Sequence, residues 1–201
     1  MHLGQRNSCV STEVYDSPKI SKYKVIVSEN FVSWVNLAAR VVRVVLARKD
    51  ITYGELVKGL EQYGHSESEK SLASRVATGR VRVSLLLQIL HVSGVELPAL
   101  WKPSSTNTKN WEKHAQSVIA AEMAFSRYVD RDEVIRKLVS LGAGFTEKTL
   151  DGYIKGGTLF LPVFLRLLFI LRSPSLEMFL DYSDVVEAAT MDVQSGNEHQ
   201  D

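Results

Sequence analysis

Apolar residues recur at helical spacing along most of the chain. Trp34, Leu37, Ala38, Val41, Val44 and Val45 fall at i, i+3, i+4 intervals and predict a helix over about 30–49. Its valines lower intrinsic helix propensity, so tertiary packing has to support it. Thr52, followed three residues on by Glu55, is a capping-box pattern that opens a short helix with Leu56 and Leu60 inward. Gly64 marks its end. Ser66 and Glu69 repeat the capping signal for a second short helix, which turns Leu72 and Val76 inward and stops at Gly79. Residues 83–93 predict a further amphipathic helix and 97–101 a terminal turn. Residues 102–110 (KPSSTNTKN) carry no large apolar side chain and read as a linker.

Trp111 restarts the pattern. A helix is predicted over 111–126, and Asp130 with Glu133 caps the next, which Gly142 breaks. A short helix over 146–155 ends at Gly156-Gly157, and Pro162 opens one that runs through Leu171. The two halves align. Trp34 matches Trp111 at an offset of 77, and from the first turn onward the offset is 78. Identical pairs are Glu55/Glu133, Leu60/Leu138, Gly64/Gly142, Lys70/Lys148, Leu72/Leu150, Gly79/Gly157, Leu87/Leu165 and Leu90/Leu168. Most are caps, stops and inward apolar positions, so they report a shared fold. The expected fold is all-α: two tandem helix-turn-helix-like domains of about five helices each, at 30–101 and 111–182. An N-terminal arm (1–29) precedes them, with Tyr23–Val27 as a short strand or extended segment. An acidic stretch (183–201) follows and is expected to be a solvated tail.

The mismatches between copies change the picture. Arg75, Arg80 and Arg82 of copy one face Tyr153, Thr158 and Phe160 of copy two, and Ser74 faces Gly152. Copy two adds Phe160, Phe164 and Phe169, which read either as a larger core or as an association surface. The formal net charge of +1 hides an uneven distribution. Residues 34–101 hold nine Lys/Arg against six Asp/Glu, residues 111–182 hold nine of each, and 183–201 carry five acids and no Lys or Arg. Positive charge therefore gathers around the short helices of copy one.

Copy one resembles the Cro/repressor type of helix-turn-helix domain. The residues that carry the likeness are Thr52, Glu55, Leu56 and Leu60, then Ser71-Leu72, Arg75, Val76 and Thr78-Gly79-Arg80. It is also similar to a bacterial family of uncharacterised domains with a starting Trp and a T-Y-x-E-L core. The resemblance covers residues 34–94 and, more faintly, 111–172. The connection from Glu61 to Glu67 is longer than the family's turn, and is expected to lengthen the first helix or tilt the second. The resemblance implies a DNA-binding transcriptional regulator, acting as a homodimer on a palindromic site. It makes Lys70, Ser71, Ser74, Arg75 and Thr78 candidate groove contacts, with Arg80 and Arg82 on phosphates. Phe160, Phe164 and Phe169 are then the candidate interface. The other reading is a protein-interaction module, an adaptor or inhibitor built on helix-turn-helix units.

Little in the sequence suggests other chemistry. The five histidines have neither i, i+4 spacing nor cysteine partners, so no metal site or cofactor is expected, and no catalytic constellation stands out. His91 reads as a satisfied or surface histidine. A lone cysteine, Cys9, and the lack of an apolar signal region point to a cytoplasmic protein. The longest apolar run, 159–171, is interrupted by Pro162 and Arg166 and is too short to span a bilayer.

Overall fold

A computed structural model describes residues 33–102, 110–126 and 130–197, with side chains through Met191. The Tyr23–Val27 segment lies outside the described residues. Within them the protein is all-α. Copy one comprises α1 (Trp34–Lys49), α2 (Tyr53–Glu61), α3 (Glu69–Ala77) and α4 (Val83–Val92), closed by a 3-10 turn at Ala99–Trp101. Copy two repeats the order with α5 (Trp111–Phe125), α6 (Arg131–Ser140), α7 (Glu147–Gly156) and α8 (Leu161–Ile170), then a 3-10 turn at Pro174–Met178. A further helix, α9 (Tyr182–Asn197), occupies most of the acidic stretch.

Helix starts follow the local chemistry, with two shifts. The Thr52–Glu55 capping box is complete: Glu55 N donates to Thr52 Oγ1 at 3.2 Å, and Thr52 N donates to Glu55 Oε2 at 2.8 Å. At α3 the cap is Ser68 rather than Ser66, its hydroxyl accepting from Ser71 N at 3.2 Å. Asp130 holds the cap position of α6 without a side-chain capping bond, and Glu133 pairs forward with Lys137 at 2.6 Å. The long connection does not lengthen α2, which ends at Glu61. It turns through Gly64 at φ 83, and residues 65–68 lead into α3 without regular structure.

The copies interlock. Within each, the second helix packs on the third and fourth (α2 on α3 and α4, α6 on α7 and α8), and the first packs on the third (α1 on α3, α5 on α7). Across them, α1 packs on α8 and α5 on α4. Each first helix thus completes the core of the other copy. The matched tryptophans are its anchors: Trp34 lies 6.0 Å from the Phe169 ring on α8, and Trp111 lies 5.5 Å from the His91 ring on α4. Phe169 and His91 are themselves matched at the 78-residue offset, so the two contacts are one contact seen twice. The chain segments before α4 and α8 form an isolated antiparallel bridge, Arg82 with Phe160. Val83 N donates to Leu159 O at 3.0 Å and Leu161 N donates to Val81 O at 2.7 Å. These bonds also exchange under the 78-residue offset. A pseudo-two-fold axis therefore passes through the Arg82–Phe160 bridge.

The glycines that stop α3 and α7 obey the same symmetry. Gly79 and Gly157 have φ of 66 and 67, where only glycine is unstrained. Each backs onto the first turn of its own copy's first helix: Gly79 against Val35, and Gly157 against the backbone of Glu112 and Gln116. Where α5 crosses toward the last 3-10 turn, Glu122 is fully buried. Its Oε1 accepts from Trp101 Nε1 and from Ser175 Oγ, both at 2.6 Å, tying both copies together.

The stretch after Asp181 departs from expectation. Instead of a solvated tail, α9 buries Val185, Ala188 and Ala189 and packs on α1, with Asp184 paired to Arg40. The acids dominated its composition, but Val185, Ala188 and Ala189 recur at i, i+3, i+4 and give the helix an apolar face.

Candidate functional site

Helix α3 is held from beneath. Leu72 and Val76 are buried, while Lys70, Ser71, Ser74 and Thr78 are exposed and Arg75 is half-buried. Arg80 and Arg82 follow, both exposed. The sequence-predicted residues therefore gather on one outward surface, formed by α3 and the segment leading into the bridge.

Their side chains are not equally free. Glu67, just before the cap, accepts from Arg75 Nη1 at 2.7 Å and from Ser71 Oγ at 3.1 Å. Thr78 turns its hydroxyl back onto Ser74 O at 2.8 Å. Arg82 lies over the Phe160 ring, 5.5 Å from its centroid. Lys70 and Arg80 extend into solvent. Glu67 escaped the sequence reading because it sits in the long connection, where only spacing to Arg75 across the cap could have exposed it.

Copy two shows what was substituted. Glu67, Arg75 and Arg82 correspond to Phe145, Tyr153 and Phe160. Those three rings form a cluster: Phe145 and Tyr153 meet edge-on at 5.3 Å, and Phe160 lies 6.4 Å from each. An ion pair on one side of the axis has become an aromatic cluster on the other, and Arg82 stacked on Phe160 joins the two. On α7, Gly152 stands at the position of Ser74, and nothing lies within 4 Å of where a Cβ would be. Lys148 remains exposed at the position of Lys70. Asp151 pairs with Lys155 at 2.6 Å and with Arg131 at 2.8 Å. The Lys155 hydrogen bond, with the Arg131 charge behind it, holds the Asp151 carboxyl below its ordinary range.

The three candidate interface aromatics face inward or toward copy one. Phe164 is fully buried against Trp101 at 5.5 Å, Phe169 lies against Trp34, and Phe160 lies under Arg82. The surface they build is the seam between the copies, and Phe164 is closed to any outside partner. Of the two readings of these aromatics, Phe164 and Phe169 serve the larger core, covering the copy-one terminal turn and α1.

Among the described residues no group of three His, Cys, Asp or Glu side chains is placed to hold a metal, and no helix is long and apolar enough to cross a membrane. No curated protein and no solved structure matches the chain. Residues 34–97, which span α1 to α4, match the model of a family described as a domain of unknown function, DUF6471.

Proposed function

We propose that this protein is a DNA-binding transcriptional regulator whose α3 enters the major groove. The observation that carries this reading is the outward face of α3. It is a short helix fixed by Leu72 and Val76, packed on α2, with small polar residues and Lys70 outermost and Arg80 beside it. Small hydroxyl side chains let a helix approach base edges, and the flanking cations meet phosphates. Arg75 is compatible with this role despite its ion pair. The pair is part-buried, its side chains 35 % and 15 % exposed, so a base contact through Arg75 has to replace the Glu67 pairing; a bidentate contact to guanine discriminates by about 1–3 kcal/mol.

The test is selection of bound duplexes from a random pool at low salt, followed by titration with salt. Affinity should fall steeply as salt rises, and Lys70→Ala and Arg80→Ala should each reduce the slope by about one. Failure to retain any duplex at low salt would end this reading. A protein-interaction module is favoured by one feature, the partly exposed Phe145–Tyr153–Phe160 cluster, and predicts a partner that stays bound after nuclease treatment and is lost with Tyr153→Ala.

A further inference from the structure

Resting on the DNA-binding reading, we infer that a single chain fills a two-part site on duplex DNA, and that the two parts are unequal. One half is read through base contacts from α3; the other is held by α7 without base readout.

The pseudo-two-fold axis carries the first part of the argument. It passes through the Arg82–Phe160 bridge and maps α3 onto α7. The chain already contains the symmetry that a helix-turn-helix dimer obtains from a second subunit, with α1 packed on α8 and α5 on α4 across it. Only residues 78–81 separate α3 from the bridge, and residues 157–159 separate α7 from it. Extended chain of that length keeps the near ends of the two helices within about 40 Å of each other. Major grooves on one face of a duplex repeat every ~34 Å, a separation within that limit.

The outward faces carry the second part. Helix α3 presents Ser71 and Ser74, whose hydroxyls can donate or accept at a base edge, and Arg75, which can only donate. At the same positions α7 has Thr149, Gly152 and Tyr153. The central one has no side chain, and Tyr153 is turned into the Phe145–Phe160 cluster. What survives on α7 is Lys148 and the surface-paired Lys155, cations for phosphate, with the Thr149 hydroxyl bonded to Thr146 Oγ1 at 2.9 Å. Such a face follows the backbone of the duplex without distinguishing its sequence.

The experiment uses the full chain on duplexes recovered from selection. Sedimentation gives the number of chains per duplex, hydroxyl-radical footprinting gives the protected length, and the selected motif shows where sequence matters. One chain per duplex is expected. The motif should be informative on one side only, with protection running about one helical turn beyond it. Lys148→Ala should weaken every duplex by a similar factor, about threefold to tenfold, with the motif unchanged. Two chains on a palindromic motif would overturn the inference while leaving DNA binding intact, and so would undiminished affinity in Lys148→Ala. Failure to bind any duplex at low salt would instead remove the reading beneath it.

Discussion

Where copy one places the Glu67–Arg75 ion pair, copy two places the Phe145–Tyr153 ring pair, at matched positions of matched helices. Both pairs brace the connection into the short helix, so either chemistry serves the fold. Only one includes a cation. The ion pair keeps a charged group at the helix face, whereas an aromatic cluster gains from burying its own edges and presents no charge. The two copies thus differ at one matched site: α3 keeps an ion pair beside its outward face, and α7 packs rings toward the axis.

The most forceful way to break the comparison is to cut it in two. Because α1 completes copy two and α5 completes copy one, residues 1–102 and 103–201 should not form folded monomers alone. Residues 1–102 should be unfolded or self-paired through a true two-fold at Arg82, and mixing the fragments should restore helicity and a single cooperative transition. A cooperative melt from a monomeric 1–102 would show that the interlocking is not required.

Tryptophan truncation sharpens the point one contact at a time. Trp34 is 1 % exposed and Trp111 6 %. Each should cost about 3–5 kcal/mol as Ala in denaturant unfolding. Trp34→Ala should cost more, since it also strips the largely buried Arg166 of the ring 5.1 Å beneath its guanidinium, a contact contributing about 1 kcal/mol. Equal losses would mean that the two anchors are energetically the same and that Arg166 finds support elsewhere, as at Leu141 O.

Much of this architecture was legible, and the repeat explains why. Caps, stops and inward positions such as Thr52, Gly79 and Leu72 are set by local geometry, so spacing reveals them. The matched tryptophans were equally visible, but which copy each one packs into is a long-range fact that periodicity does not contain. Arg166 shows the difficulty. In the sequence it interrupts an apolar run, whereas in the fold it is buried over the Trp34 ring with its Nε donating to Leu141 O at 2.8 Å. The outward residues of α3 were legible as a set. Their partners were not, because Glu67 reaches Arg75 from outside the helix. The tail misled because acidic composition outweighed the spaced Val185, Ala188 and Ala189.

The glycine stops separate the copies next. At Gly157 an added Cβ would lie 2.6 Å from Glu112 O and from Gln116 N, backbone atoms that cannot move without shifting α5. At Gly79 the nearest atoms are side-chain ones, Pro162 Cγ at 2.9 Å and Val35 at 3.3 Å, which can yield. Both substitutions pay about 1–2 kcal/mol for left-handed backbone. Gly157→Ala should then cost at least about 1 kcal/mol more than Gly79→Ala in thermal or denaturant unfolding. Reversed order would place the tighter seam on copy one. Gly152 predicts the opposite sign, since it lies within α7 with open space around it and ordinary backbone. Gly152→Ala should stabilise by about 0.5–1 kcal/mol, and a loss would show that α7 needs the missing side chain.

The smallest effect distinguishes the helix starts through pH. Glu55 accepts from the Thr52 backbone N–H and hydroxyl, and those bonds, ahead of the Lys58 charge, hold its carboxyl below the ordinary range. Its match, Glu133, is turned away from the Asp130 cap toward Lys137. A carboxyl whose folded pKa lies below its unfolded value, about 4.3 for glutamate, stabilises the fold above that value. The contribution fades as pH falls through the folded pKa. Glu55→Gln can still accept at the cap but cannot titrate. Stability measured from pH 6 down to pH 3 should therefore drop less steeply in Glu55→Gln than in the wild type. Coincident profiles for the wild type and Glu55→Gln would mean that the copy-one cap holds its carboxylate no more tightly than the unfolded chain does, and that the starts of α2 and α6 differ in geometry but not in energy.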